Sequence, residues 1–313
     1  MYITELPDHS KPGFDEKSHF SQFKKHNIVF NALSRYSVCD YHVGCLSFKT
    51  VFTGEEWYGI GNRQIAVRPG KFLVMNDKQA YSSRIDCGEN TRGLAIFFKN
   101  EFASAVFQDL IYNEESMLDN PFSISPINPE FFQTLNNLTP ELYIKLRDLI
   151  SCLNCFGFNS CMVDEYLVFI LHYLIKTHVS GLDQASNINA VKQSTRIEVY
   201  KRLCVAKDFL ESSYMDQVSL DTICSLSCLS IPQLIRQFKA VFHITPHQYL
   251  IRTRLTRAAD LLRHTNNPIH EITWSCGFEN VSAFCRAFKS IYGVQPAQYR
   301  KSGVTSLIYL TDQ

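Results

Sequence analysis

The last third of the chain repeats itself. Two stretches about fifty residues apart follow one plan: a polar capping residue, a short apolar-periodic helix, a break, and a second helix. The first reads Ser219-Leu220-Asp221-Thr222-Ile223-Cys224, breaks at Cys228-Leu229-Ser230, and continues as Ile231–Phe242. Ser219 and Ser230 stand where N-caps belong, and Pro232 is tolerated in a first turn. The second reads Asn266-Asn267-Pro268-Ile269-His270-Glu271-Ile272, with Asn267 as cap and Pro268 as first helical residue. Its break, Cys276-Gly277-Phe278-Glu279, offers Gly277 for a left-handed turn, and the next helix runs Asn280–Tyr292. A unit this small cannot bury its apolar face alone. Both copies must therefore pack on something shared. Gln248–Arg263, between them, has a leucine face and carries Arg252, Arg254, Arg257 and Arg263.

Two short helices joined by a tight turn form a helix-turn-helix, whose second helix reads the major groove of DNA in proteins that use it so. The recognition helices expected here are Ile231–Phe242 and Asn280–Tyr292. Leu234 and Phe238 line the inner face of the first, Phe284 and Phe288 that of the second. The opposite faces are expected to present Gln233, Arg236 and Gln237 in one copy, and Ser282 and Arg286 in the other.

Charge agrees with a polyanionic partner. Residues 1–194 hold 17 basic and 21 acidic side chains, a net −4, whereas residues 195–313 hold 14 and 9, a net +5. The near-neutral total of +1 hides an acidic front and a basic back. The sign changes at residues 181–195, a polar stretch without helical period, which reads as a linker.

Ser219–Arg300 is very similar to the DNA-binding domain of the AraC/XylS family of transcription regulators. The matching text is Ser219-Leu220, Phe238-Lys239, Thr245-Pro246-His247-Gln248-Tyr249-Leu250, Arg252-x-Arg254-Leu255-x-x-Ala258, Ala259-x-Leu261-Leu262 and Ile269-x-x-Ile272. Then come Gly277-Phe278, Phe284-Cys285-Arg286-Ala287-Phe288-Lys289 and Tyr292-Gly293-Val294-x-Pro296-x-x-Tyr299-Arg300. The resemblance implies that each unit inserts its second helix into successive major-groove segments of double-stranded promoter DNA. It places Arg236 and Arg286 at base- or phosphate-contacting positions. Ile231, Pro232, Ile235, Val281 and Ser282 fall at its variable reading positions. The DNA-binding set expected is thus Gln233, Arg236, Gln237, Asn280, Val281, Ser282 and Arg286. The residues expected to hold the fold are Ser219, Leu234, Phe238, Ile272, Gly277, Phe278, Phe288 and Pro296. A homodimer, RNA polymerase and a small-molecule effector are the further partners the resemblance brings.

The front half reads differently. Ile28–Leu33, Val43–Phe52, Gln64–Val67, Phe72–Met75 and Gly93–Phe98 are short strand-like runs punctuated by Gly59-Ile60-Gly61-Asn62, Pro69-Gly70 and Asn76-Asp77. The alternation Leu46-Ser47-Phe48-Lys49 predicts a half-buried strand. Residues 129–182 turn helical, with Tyr166, Phe169, Ile170, Tyr173 and Leu174 on one face and Leu167 and Leu171 broadening it. Such a helix is expected mainly in a core, with a dimer contact as the second reading. The pattern from Trp57 to Val74 resembles the cupin-like sensor barrel that precedes this DNA-binding domain in the family. The fold class expected is α+β: a cupin-like β-barrel with trailing helices over residues 1–182, a linker over 183–195, an all-α domain of two helix-turn-helix units over 196–301, and a tail over 302–313. Phe30, Tyr41, Phe48, Trp57, Tyr58 and Tyr81 are candidates to line a sensor pocket, although large aromatics fill plain cores as well.

Other chemistries find little purchase. A metal-dependent cupin enzyme is the competing function, but its paired histidines are missing, and Asp40 with His42 reads better as a surface pair. His270-Glu271 lacks a second zinc-site histidine, and neither a Gly-rich phosphate loop nor a Gly-x-Ser-x-Gly elbow occurs. Cys152 and Cys155 form a lone C-x-x-C among 11 cysteines, which fits reduced buried thiols better than a zinc cluster. No cofactor or metal is expected. No apolar run is long enough to span a bilayer, and the first residues do not read as a signal peptide, so the expected location is the cytosol.

Overall fold

The computed structural model describes residues 1–7, 16–86, 88, 90–111 and 129–301. The stretch read as a tail, 302–313, lies outside the described residues. Contacts divide the chain into two units, Met1–Asp208 and Phe209–Gln313.

The first unit is built on two sheets. Its described strands are β1 (Tyr2–Ile3), β2 (Ile28–Ser34), β3 (Ser37–Val43), β4 (Ser47–Thr53), β5 (Glu56–Ile60), β6 (Arg63–Val67), β7 (Lys71–Met75), β8 (Ala80–Ile85), β9 (Thr91–Phe97) and β10 (Asn136–Asn137). One sheet has the order β1-β2-β9-β4-β7-β10 and the other β3-β8-β5-β6. Every pairing is antiparallel except β1 with β2. Among the described residues no ladder joins the two sheets, so the expected barrel is instead a pair of facing sheets.

Period-two alternation sorts the side chains between two cores. Phe48, Phe72, Val74, Leu94 and Ile96 leave the six-stranded sheet on its outer side and meet helices. Val51, Leu73 and Met75 leave it on the other side and meet Tyr58, Ile65 and Tyr81 of the second sheet. β4 is therefore buried on both faces, where its alternation predicted a solvent face, and Lys49 is only 3% exposed.

Helices α1 (Glu16–Lys25) and α2 (Asn100–Ile111) precede α3 (Pro140–Phe156) and α4 (Ser160–Ser186). Thr139 caps α3 by accepting from Leu142 N, and Asn159 caps α4 by accepting from Cys161 N. In α4 the deepest residues are Val163, Leu167, Ile170, Leu171 and Leu174, with Tyr166, Phe169 and Tyr173 packed at their margin. Helix α5 spans Gln193–Ser212, so the division between units falls within it. Of the residues read as a linker, 183–186 end α4 and 193–195 begin α5.

The second unit is helical throughout. α6 (Leu220–Ser227) and α7 (Ile231–Phe242) form the first copy, α8 (Pro246–His264) the connector, and α9 (Ile269–Ser275), α10 (Val281–Tyr292) and α11 (Pro296–Lys301) the second copy and its close. Leu255, Ala258, Ala259 and Leu262 of α8 form one core with Ile272, Cys276, Phe278, Phe284, Phe288 and Tyr299. α9 starts one residue later than its sequence implies: Pro268, not Asn267, occupies the cap position, and it makes no side-chain cap bond.

Candidate nucleic-acid interface

The two copies correspond position by position, fifty residues apart, from their second helices onward. Ser230 and Asn280 are N-caps fifty positions apart, followed at the same spacing by Leu234 and Phe284, Phe238 and Phe288, Lys239 and Lys289, Phe242 and Tyr292. The next residue in each copy, His243 or Gly293, has positive φ, 61° and 76°. Thr245 and Gln295 then open the following helices, with Pro246 and Pro296 at their first positions and Tyr249 and Tyr299 packed inside. Thr245 Oγ1 accepts from Gln248 N at 3.2 Å, and Gln248 Oε1 accepts from Thr245 N at 2.9 Å, a closed capping box.

Arg236 and Arg286 occupy the same place in this frame, six residues after their caps, and both are exposed. Neither has a carboxylate partner among the described residues. Leu234, Phe238, Phe284 and Phe288 are fully buried on the opposite side. Each helix thus anchors by two large apolar residues and turns one guanidinium and one lysine outward.

One expected site residue, Gln237, departs from the outward position read from the sequence, and Gln233 and Asn280 also serve as helix caps. Gln237 is 8% exposed and lies on the buried face with Leu234, Phe238 and Val241, so it is not presented outward. Gln233 is exposed, but its Oε1 accepts from Ser230 N at 3.3 Å and Ser230 Oγ at 3.2 Å, which ties it to the capping box. Asn280 Oδ1 accepts from Ser282 N at 2.8 Å and Ala283 N at 3.2 Å, making it the N-cap and not the first helical residue. Val281 and Ser282 are exposed in the first turn that follows, and the Ser282 amide is engaged by that cap. The Ser-x-x-Gln spacing of Ser230 and Gln233 is the signal that foretells the first of these roles.

The expected structural residues do what their chemistry suggests. Ser219 Oγ accepts from Thr222 N at 3.1 Å. Ile272 is fully buried and Phe278 packs edge-on against Phe284, ring centres 5.3 Å apart. Pro296 is buried at the start of α11. Gly277 has φ 75°, and a Cβ there would lie 2.8 Å from Tyr214 O and 2.9 Å from Met215 O. The first copy has Cys228 at φ 52° in the corresponding turn, one residue nearer its next cap.

Two of the connector's four arginines, Arg254 and Arg263, are spent inside the unit. Arg254 donates from Nε to Tyr214 O at 2.7 Å and from Nη2 to Asp216 O at 2.8 Å, and its guanidinium lies 5.8 Å from the Phe278 ring centre. Burial lowers its pKa. Arg263 donates to the Tyr299 hydroxyl and stacks on that ring. Burial raises the Asp260 carboxyl, against the pull of Arg257, Arg263 and His264. Arg252 is exposed.

Residues 223–302 match a family model described as a helix-turn-helix domain. Curated relatives that match about a third of the chain are transcription regulators. The second unit carries a helix-turn-helix domain similar to those of transcription regulators. The probable transcriptional regulator LumQ of Photobacterium leiognathi is 32% identical over 93 residues, 30% of this chain and 38% of that protein. The HTH-type transcriptional activator RhaS of Enterobacter sp. (strain 638) is 34% identical over 99 residues, 32% of this chain and 36% of that one. These matches span little more than a third of the relatives' own length. A crystal structure of a transcriptional regulator from Chromobacterium violaceum, described by its AraC-type DNA-binding domain, covers 33% of this chain and 93% of its own, with 28% identity and a TM-score of 0.32.

Outside the helix-turn-helix domain, the first unit holds a cavity of about 80 Å³ between its two sheets. Of the six aromatics proposed from sequence, Phe30, Tyr58 and Tyr81 line it. Phe48 faces the helices instead, because it alternates with Lys49. Tyr41 is exposed, its hydroxyl donating to Gly61 O at 3.0 Å. Trp57 lies against Arg68 and Arg84, whose guanidinium carbons are 5.7 and 5.3 Å from its ring. Lys49 and Glu56 line the cavity and were missed in the sequence. The available signal was a lone lysine within the apolar run of β4. Burial pushes Lys49 down to about 8, with Glu56 pulling the other way, and burial pushes the Glu56 carboxyl and the Tyr58 and Tyr81 hydroxyls up. His42 Nδ1 lies 2.9 Å from Asp40 O and 3.4 Å from Cys39 Sγ, and its ring meets Tyr81 at 4.4 Å. So Asp40 and His42 interact through the Asp40 main chain, not as a pair of metal-binding side chains. Among the described residues no three His, Cys, Asp or Glu side chains gather as a metal site. No helix there is long and apolar enough to cross a membrane.

Proposed function

We propose that this chain is a sequence-specific transcription regulator of double-stranded promoter DNA. The observation that carries the reading is the pair of unpaired, outward arginines at equivalent positions of α7 and α10, each set by a capped and buried helix. An arginine can bridge guanine O6 and N7 bidentately, and a helix N-terminal half in the major groove brings residues six beyond the cap to base edges or phosphates. Arg236 and Arg286 are the principal contacts. Val281, Ser282 and the outward amide of Gln233 are secondary, and Asn280 contributes through its side-chain amide while capping. Gln237 supports the helix from within.

In this reading residues 1–182 are a sensor and dimerisation region, 183–195 its connection, and 196–301 the DNA-binding domain. A small-molecule effector acts through the first unit, the protein works as a homodimer in the cytoplasm, and RNA polymerase is its downstream partner. Selection of bound sequences from random DNA by the full chain, at fixed moderate salt, tests this. The expected product is a motif with two half-elements about 10 bp apart, one helical turn. Absence of any enriched sequence from folded protein, with and without the ligands tested below, overturns it.

A further inference from the structure

The cavity of the first unit has a polar end and an apolar end. The polar end is Lys49 on β4, facing Glu56 and Tyr58 on β5. The apolar end is Phe23, Phe30 and Phe97, whose rings lie 4.5 to 6.0 Å apart, with Leu6 and Ile85 beside them.

Lys49 is the unusual element. An ammonium is donor-only, with three N–H groups that require acceptors when taken out of water. Here the nitrogen sits 3.5 Å from the Phe97 ring centre and 5.4 Å from that of Tyr81. Among the described residues no hydrogen-bond acceptor or ion pair engages it. Glu56 is close enough to be felt electrostatically but closes no ion pair with it. Burial also favours the neutral form of Glu56, which weakens its claim on the lysine. The remaining groups with a bearing on Lys49 are neutral in their ordinary range or hold their protons more tightly on burial: Tyr58, Tyr81 and Cys45. Cys39, His42 and His19 complete the titratable lining. Among the described residues, the polar end is therefore short of negative charge, and a ligand can supply it.

We propose that this cavity binds a small organic monocarboxylate, with its carboxylate on Lys49 Nζ and its apolar body against Phe23, Phe30 and Phe97. The inference deepens the effector role proposed above and rests on it. One ammonium matches one carboxylate. A phosphate dianion would call for further cations or an arginine fork, and among the described residues no arginine lines the cavity. A sugar would call for many polar partners, where the far wall offers aromatic and aliphatic carbon. A cation would be repelled by Lys49.

Calorimetric titration of the full-length protein with hexanoate, benzoate, 1-hexanol, hexylamine and inorganic phosphate tests the assignment. At least one of the two carboxylates should bind, and 1-hexanol, hexylamine and phosphate should each bind at least tenfold more weakly. Lys49→Met should lose at least tenfold in carboxylate affinity. Glu56→Gln, which removes the competing charge but keeps the ammonium, should bind at least as tightly as the parent. Affinity should fall as pH rises from 7 to 9, because the ammonium titrates in that range. If Lys49→Met does not fold, the Glu56→Gln and pH measurements decide. Failure of both carboxylates to bind the parent, equal binding of 1-hexanol, or unchanged affinity in folded Lys49→Met overturns the proposal. DNA selection run in parallel separates the two claims. An enriched DNA motif without carboxylate binding sinks the ligand class and leaves the regulator. Carboxylate binding that depends on Lys49, without any enriched DNA, sustains the pocket and removes the regulator.

Discussion

Gly277 and Gly293 form a natural controlled comparison, since both adopt positive φ, 75° and 76°. A non-glycine residue in this region costs about 1–2 kcal/mol. The gain from a less flexible unfolded chain, about 0.4–1 kcal/mol for Gly→Ala, applies to both and cancels in the difference. What differs is space. A Cβ at position 293 meets nothing within 4 Å, whereas at 277 it would stand 2.8 and 2.9 Å from two main-chain oxygens. That loop cannot retreat freely, because Arg254 holds Tyr214 O and Asp216 O. Each such charge-assisted bond contributes about 1.5–3 kcal/mol. Overpacking against a fixed wall adds about 1–3 kcal/mol. Gly277→Ala should therefore destabilise the second unit by about 2 kcal/mol more than Gly293→Ala. Urea unfolding followed by Trp274 fluorescence, in a Trp57→Phe background, reports on this unit alone, because the chain has 2 tryptophans. Equal losses of stability in the two variants, within ~0.5 kcal/mol, would refute the steric argument.

Three further outcomes follow from contacts already described. Thr245→Ala opens the capping box of α8 and should cost about 1 kcal/mol in the same unfolding assay. Because the folded state lowers the Lys49 pKa from its ordinary 10.5 to about 8, the unfolded chain binds more protons between those values. Stability of the first unit should therefore rise with pH across that window, and the rise should vanish in Lys49→Met, as read by urea midpoints at several pH values. Arg236→Ala and Arg286→Ala should each weaken binding to the selected DNA by about 1–3 kcal/mol while leaving the melting temperature in place, which quantitative gel shifts and thermal melts would measure together.

The second unit was legible because its signals are local. Ser219, Ser230, Thr245 and the Pro246 and Pro296 positions each fix a helix start within a few residues, and α7 runs over the span its sequence implied. The misplacement of Gln237 was avoidable: it stands three after Leu234 and four before Val241, on the face those residues define. Asn267 was a sound cap by composition, but Pro268 leaves the chain extended for one residue more. The first unit was harder. β3 and β8 carry Ser37, Asp40, Ser82, Ser83 and Arg84 among few apolar residues, and their pairing with each other gives them shape. Lys49 read as a solvent-facing alternate because nothing within β4 announces the second sheet that covers it. A cavity between sheets is a tertiary object, and its polar lining was assembled from β3, β4, β5 and β8.

The internal use of Arg254 and Arg263 bears on how tightly the domain would hold nucleic acid as ionic strength changes. Each phosphate neutralised releases condensed counterions, and affinity then falls with a slope of about −0.9 per neutralised phosphate on a logarithmic salt axis. The 14 basic residues after position 194 would set that slope only if all met phosphates. Guanidiniums tied to main-chain carbonyls and a tyrosine hydroxyl release nothing. The valence left to α7 and α10 is that of Arg236, Lys239, Arg286 and Lys289, which would contribute a slope of about −3.6, and the exposed Arg252 of α8 would add to it on meeting a phosphate. A polyelectrolyte term that shallow would leave most of the affinity to base edges and groove shape, and would keep the domain from lingering on arbitrary DNA.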